Sequence, residues 1–341
     1  FKMTALLRLL GLLWTVTPLF AGQEAPFQFV STVLVEPPSS TVATERRGYH
    51  FVLASLTNNL VFGCGIDGEM TVFDFNTPAS PTAQNASNIS APKLLQSRAM
   101  AWYNTSLLLS SRDLLLFQAT ADGRLKLSAN VSTPMSPLPS HVTGEDTGIN
   151  GIVIVTDTLG KTFVVGAAMP GYLVAAQLLN ATTALEWGSL DLKQRGWFDS
   201  AYDLDYYTPL RKTADDGLVN NNDTPPTPHV VVVSAHQDVA KNVVGVVRLT
   251  EEGGGPMVHP SNWSLVGNTS LSHGSLTGTG ANRCNRVRVH ERSQRAAFSC
   301  FGGGLHKDIV GFVDLSNPHL PIITSTVTLH SRIRRWFLNL F

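Results

Sequence analysis

The chain has 341 residues, a formal net charge of zero, 43% hydrophobic residues and 15% charged residues. This apolar content is enough for a sizeable core, and repeat or all-β proteins often exceed the usual length of one domain. Proteins that bind nucleic acid normally carry a basic excess, so the balanced charge argues against nucleic acid as a partner.

Residues 1–22 have the pattern of a secretory signal peptide. One cation, Arg8, precedes an apolar run over residues 9–20, and the small residues Ala21 and Gly22 follow it. The run is short for a membrane span, although an uncleaved anchor is the alternative. We therefore predict a secreted or extracellular-surface protein that reaches its location through the secretory pathway and keeps no stable transmembrane span after signal cleavage.

Eight N-x-[ST] sequons without proline at the middle position support the same route. Several sequons in a chain with a signal-like start predict a glycosylated surface. The sites are Asn85, Asn88, Asn104, Asn130, Asn180, Asn222, Asn262 and Asn268.

A strand-like run, Gln28–Glu36, and a polar, proline-bearing linker make up residues 23–47. Repeating apolar runs then fill residues 48–330. The first repeat has runs at 51–56, 60–65 and 70–75, separated by turns rich in Asn, Asp and Gly, and this pattern predicts consecutive hairpins. A fourth strand in the polar segment 82–90 is weakly indicated.

A proline-bearing turn follows some of these strands. Asp74 begins a D-x-x-x-P-x-x-P turn, Asp314 leads into a similar turn with Pro318 and Pro321, and Asn130 begins a copy with Asn for Asp. Proline lacks a backbone N–H and ends a strand's ladder, and an Asp or Asn before the turn can accept a hydrogen bond from a following backbone N–H. We therefore interpret these segments as capped exits from strands.

The period of the repeats predicts the fold. Second strands are expected to start near residues 60, 114, 162, 230 and 296, with almost no helical pattern between them. Three- or four-stranded units at such a period are typical of an all-β β-propeller, because each small sheet buries its two faces only by stacking on others. We predict about five to seven blades, with about five visible. Gln28–Glu36 would add the outer strand of the last blade, and residues 331–341 form a basic and aromatic tail that touches a membrane surface or is a truncated end.

The strand and turn over Gly311–Pro321 resemble the LVIVD-repeat family of propellers, in which an apolar strand ends in Asp, then Ser or Asn, then P-x-x-P. Val72–Pro81 is nearly as similar, whereas the second repeat lacks the Asp and the third and fourth lack the proline pair. The resemblance implies a secreted or surface propeller and no particular reaction.

Two of the three cysteines flank a candidate hairpin with its tip at residues 291–293. With that tip, Cys284 lies opposite Cys300 on antiparallel strands, a spacing close to disulfide geometry. We predict a Cys284–Cys300 bridge, with two buried free thiols as the alternative. Cys64 is left over and is expected to be buried in a strand.

No short catalytic motif is present, so candidate sites come from side-chain clusters. Asp199, Asp203 and Asp205 form the best carboxylate cluster; Asp203 and Asp205 share one strand face and their oxygens can bind Ca²⁺. A strand with its polar face in solvent is the favoured alternative. No other cofactor is predicted.

Two arginines and two histidines are candidate binding residues. Arg286 and Arg288 share one strand face and can bind an anion or an acidic partner, and His236 and His306 lie near strand ends. A solvated hairpin is the favoured alternative for the arginines, and no spacing unites the histidines.

Two functions of different classes fit this sequence. The first is a secreted, glycosylated propeller that acts as a scaffold and binds an extracellular protein or glycan through its loops. The second is an extracellular, lactonase-like hydrolase with a metal in the central channel, which requires acidic or His residues from several blades to converge. The sequence favours the binding module, and stoichiometric Ca²⁺ or Zn²⁺ in the purified protein would favour the enzyme.

Overall fold

The computed structural model describes most of the repeat region. The described residues are 49–54, 59–65, 70–77, 80, 82–85, 99–104, 106–110, 114–119, 125–131, 149–168, 171–180, 183–198, 200–212, 218–219, 227–233, 242–252, 254–270, 283–301 and 308–329. The predicted signal peptide, the Gln28–Glu36 strand and the tail 331–341 lie outside these residues.

The described strands form five four-stranded antiparallel sheets, called blades 1 to 5 in chain order. Blade 1 contains β1 (Tyr49–Ala54), β2 (Leu60–Gly65), β3 (Met70–Asp74) and β4 (Thr82–Asn85). Blade 2 contains β5 (Ala99–Tyr103), β6 (Ser106–Ser110), β7 (Leu114–Ala119) and β8 (Leu125–Val131). Blade 3 contains β9 (Ile149–Thr156), β10 (Thr162–Ala168), β11 (Tyr172–Asn180) and β12 (Thr183–Asp191).

Blades 4 and 5 have the same order of strands. Blade 4 contains β13 (Asp203–Tyr207), β16 (His229–Val233), β17 (Asn242–Arg248) and β18 (Ser264–Ser270), and the short hairpin β14 (Arg211–Lys212) and β15 (Leu218–Val219) is inserted after β13. Blade 5 contains β19 (Arg283–His290), β20 (Arg295–Phe301), β21 (Asp308–Asp314) and β22 (Ile322–Leu329). Single 3₁₀ turns lie at Pro260–Asn262 and Glu291–Ser293.

The sheets stack face to face, and their first strands are neighbours. β1 contacts β5, β5 contacts β9, β9 contacts β13, and β13 contacts β19. One hydrophobic cluster fills each of the four spaces between consecutive blades. In β16 the side chains alternate, so that Val230 and Val232 face blade 3 while Val231 and Val233 face blade 5. The chain is therefore a β-propeller, as the repeats predict.

Most of the predicted strands are present, and the second strands β2, β10, β16 and β20 begin at the predicted positions or within one residue of them. The predicted strand order of blade 2 is wrong. Its second strand is β6 rather than the strand near residue 114, because β5 begins the blade at Ala99 and that short run was not recognised. Asn130 accordingly lies in the fourth strand, β8, and does not cap an exit from a third strand.

The predicted capping is present at both Asp-led turns. Asp74 Oδ1 accepts a hydrogen bond from the backbone N–H of Asn76 at 2.8 Å, and Asp314 Oδ1 accepts one from Ser316 at 2.9 Å. Both aspartates end the third strand of their blade. The turn in blade 5 also packs on blade 4, since a Cβ on Gly267 would lie only 2.2 Å from the carbonyl oxygen of Pro318.

A disulfide joins Cys284 and Cys300, which are directly paired on β19 and β20, so the predicted bridge is confirmed. Cys64 is the remaining cysteine and is fully buried in β2.

The cysteines give a prediction that needs no mutation. A thiol reagent should label no cysteine in the native protein, because the two bridged sulfurs are oxidised and Cys64 is buried. After denaturation without reductant, one thiol per chain should react, and peptide mapping should place it at Cys64. Three reactive thiols under those conditions would show that the bridge does not form.

Candidate functional site

The polar residues predicted from sequence meet near the starts of β9 and β13 and the middle of β19, the first strands of blades 3, 4 and 5. Asp203 starts β13 and is 1% exposed. Its Oδ2 accepts hydrogen bonds from the backbone N–H of Val287 at 3.1 Å and from Arg288 Nη1 at 2.9 Å. Arg286 Nη1 lies 4.0 Å from the same oxygen. A buried carboxylate thus joins the first strands of blades 4 and 5.

The hydrogen bonds show that these first strands run parallel. Asp203 accepts from Val287, and Asp205, two residues on, accepts from the N–H of Val289 at 2.7 Å. Arg286 also donates to the carbonyl oxygen of Asn150 on β9, at 3.4 Å. Because β13 lies between β9 and β19, this arginine spans three blades near the axis on which the first strands meet.

Gly151 allows β9 to approach Asp203 closely. A Cβ at this position would lie 2.2 Å from Asp203 Oδ1 and 2.8 Å from Asp203 Cα. The second contact is with backbone, so rotation of a side chain could not relieve it. Any residue larger than glycine would force blades 3 and 4 apart at this point.

Gly151→Ala should therefore lower the free energy of unfolding by about 2 kcal/mol, the cost of overpacking a filled interior. Gly160→Ala is the matched control, because Gly160 has open space around its Cβ position but a φ of +74°. The control should lose only about 1 kcal/mol, the cost of a left-handed residue with a side chain. Urea unfolding of both variants measures the difference, and equal losses would contradict the close approach.

Asp205 is half-buried beside Asp203. Burial raises the pKa of its carboxyl, while the charge of Arg288 and the N–H groups of Val289 and Tyr206 lower it. Oδ2 of Asp203 and both oxygens of Asp205 accept hydrogen bonds from β19 or from their own strand. Among the described residues no group of three His, Cys, Asp or Glu side chains is placed to hold a metal. Asp199 lies outside that part, and Ca²⁺ binding stays a prediction that metal analysis of the purified protein tests.

The two predicted binding arginines differ in exposure. Arg286 has a side chain that is 6% exposed, whereas that of Arg288 is 30% exposed. Neither is the solvated hairpin residue that was the alternative interpretation. His236 and His306 lie outside the described residues, in the segments that join β16 to β17 and β20 to β21.

Two residues that sequence reasoning did not single out, Gln294 and Tyr207, hold blades 4 and 5 together at the opposite ends of the first strands. The side chain of Gln294 donates to the carbonyl oxygens of Thr208 and Glu291 and accepts from the N–H of Leu210. Tyr207 donates to the carbonyl oxygen of Leu315, and its pKa is raised mainly by burial. His229 is buried against Tyr207 in an edge-to-face contact with ring centroids 5.9 Å apart. Of Gln294, Tyr207 and His229, only Gln294 has a local signal in the sequence, because it directly follows the predicted hairpin tip at residues 291–293. Its φ in the structure is +49°.

The sheets are stacked, and side-chain hydrogen bonds join their first strands along one axis. This arrangement defines the chain as a β-propeller with a charged cluster inside it. No known protein family and no curated protein matches the sequence. Among solved structures, the chain is similar to Sqt1 of Saccharomyces cerevisiae, with 10% sequence identity, a TM-score of 0.46, and coverage of 84% of this chain and 64% of Sqt1. The chain therefore spans less than two thirds of that protein's length. Within the described residues, no helix is long and apolar enough to cross a membrane.

Proposed function

We propose that this chain is a secreted or cell-surface, glycosylated propeller of the LVIVD-repeat type that binds an extracellular protein or glycan. The observation that carries the proposal is the position of its best functional candidates. Asp203 and Asp205 bind the backbone of β19, so they hold blades together. Recognition is then left to the segments that join the strands, which in a rigid scaffold are the usual carriers of binding.

The positions of the sequons support glycosylation. Four of the sequon asparagines, Asn104, Asn180, Asn262 and Asn268, have exposed side chains. The first three lie in turns or at a strand end, and Asn268 lies on the outermost strand of blade 4. An attached glycan at any of these positions would project into solvent without displacing a blade.

Binding to cells tests the proposal. Fluorescently labelled protein, purified from the medium of secreting cells, is titrated onto intact cells of several types. Saturable binding that trypsin treatment of the cells abolishes would identify a protein partner, and loss after glycosidase treatment would identify a glycan. Retention of the chain inside the producing cells, or the absence of saturable binding to every cell type, would overturn the proposal.

A further inference from the structure

A row of four polar side chains crosses one face of blade 4. Tyr207 is paired with His229, His229 with Arg248, and Arg248 with Ser264. Directly paired residues on antiparallel strands point to the same face, with Cβ atoms about 4.5–5.5 Å apart. Tyr207 belongs to the cluster between blades 4 and 5, so the whole row faces blade 5.

Two atoms of this row are buried without a partner in the part of the chain that the structure describes. They are Arg248 Nε and Ser264 Oγ, each on a half-buried side chain. Nε–H is a donor only, and a hydroxyl is a donor as well as an acceptor. Buried donors in native proteins are normally satisfied by protein, water or an ion. These two neighbouring donors therefore require an acceptor.

The charges around the row are mostly positive. Burial lowers the pKa of His229 to about 4, and the charges of Arg248 and His319 lower it further. His319 lies in the blade 5 turn that packs on Gly267 of β18, and it is exposed. The described acid of that turn is Asp314, whose Oδ1 accepts from Ser316 and whose strand position is opposite Arg295. Its charge acts on Tyr207, at the other end of the row from Ser264.

We propose that Arg248, Ser264 and His319 form a site for a small inorganic oxyanion, such as sulfate or phosphate, between blades 4 and 5. The oxyanion accepts hydrogen bonds from Arg248 Nε–H and from the Ser264 hydroxyl and offsets the positive charge of the row. Guanidinium and hydroxyl donors are the usual partners of such anions.

The test is unfolding of the purified protein in urea with increasing sodium sulfate, at constant ionic strength adjusted with sodium chloride. General salt effects of sulfate rise steadily with concentration, whereas a site gives a contribution that follows its saturation. The wild type should gain stability along a saturating curve. For Arg248→Met, stability should show only the steady rise with sulfate concentration that general salt effects produce. Ser264→Ala should need about tenfold more sulfate for half of the effect.

Arg248→Met also has an expected sign change. Without sulfate it should be as stable as the wild type or more stable, because it removes a half-buried charge and an unsatisfied donor. With saturating sulfate it should be less stable than the wild type. Arg295→Met, on the exposed end of β20, is the matched control and should respond to sulfate as the wild type does.

Two results would overturn the proposal. One is an identical sulfate response of the wild type and Arg248→Met. The other is a crystal structure grown with selenate in which only a water molecule lies against Arg248 Nε. Arg248→Lys keeps the charge and loses Nε, so it replaces Arg248→Met as the test if that variant does not fold. A saturating sulfate response of Arg248→Lys equal to that of the wild type would also overturn the site.

Discussion

Asp203→Ala should lower the free energy of unfolding by about 3–5 kcal/mol, the cost of removing one partner from a buried ion pair. The carboxylate is nearly fully buried and bridges the first strands of blades 4 and 5. Its removal takes the counter-charge from Arg288, 2.9 Å away, and from Arg286. The same change deprives the backbone N–H of Val287 of its acceptor.

Two further variants separate charge from hydrogen bonding. Asp203→Asn keeps one oxygen that can accept from Val287 but loses the ion pair, so its loss should be smaller than that of Asp203→Ala. Asp74→Ala removes an aspartate that only caps an exposed turn. Its free energy of unfolding should fall by about 1 kcal/mol, as it does when other capping residues are removed. Urea unfolding measures all three, and an Asp203→Ala loss no larger than that of Asp74→Ala would show that the bridge contributes little.

The elements that the sequence predicted well are those with strong local signals. Residues close together in the chain determine both the hairpin that pairs Cys284 with Cys300 and the capping by Asp74 and Asp314. In blade 2 the local signal misled, because the short run at Ala99–Tyr103 is preceded by a long polar segment and was not recognised as a first strand. The predicted fold class is still correct, because the repeats of the other blades indicate the same stacked sheets.

The candidate site was only partly predictable. The sequence shows that Asp203 and Asp205 share a face, but their partners are 84 positions away on another blade. The same is true of Gly151, whose role is visible only when β9 lies against Asp203. No pattern within one repeat encodes which residue of the next blade will face it. The row from Tyr207 to Ser264 likewise depends on the register of four strands.

The stability of the protein should fall steeply as the pH drops from about 6.5 to about 4, and His229 should account for about 3 kcal/mol of that fall. His229 is 4% exposed, and burial lowers its pKa to about 4. Its Nδ1–H donates to the carbonyl oxygen of Thr227 at 2.8 Å, and this bond raises the pKa. Burial outweighs it, so the neutral ring is the form that fits the folded chain.

The sign follows from which state binds the proton. An unfolded histidine takes up a proton near pH 6.5, whereas folded His229 takes one up only near pH 4. Between those values the unfolded state binds more protons, so acidification favours unfolding. Asp205 contributes in the opposite direction: its raised pKa means that the folded state binds more protons, so through Asp205 acidification favours folding. The difference between the wild type and a variant of His229 isolates the histidine from this contribution.

His229→Asn is the informative variant, because its side-chain amide can still donate to Thr227 and does not titrate. At pH 7 it should be less stable than the wild type through lost packing on Tyr207. Below pH 5 the free energies of unfolding of the two proteins should converge or cross, since the variant has no ring to protonate. His290→Asn, at the exposed end of β19, controls for loss of a histidine at the surface. Urea unfolding between pH 7 and pH 4 in one chloride buffer series measures all three, and parallel curves for the wild type and His229→Asn would show that His229 is not the group responsible.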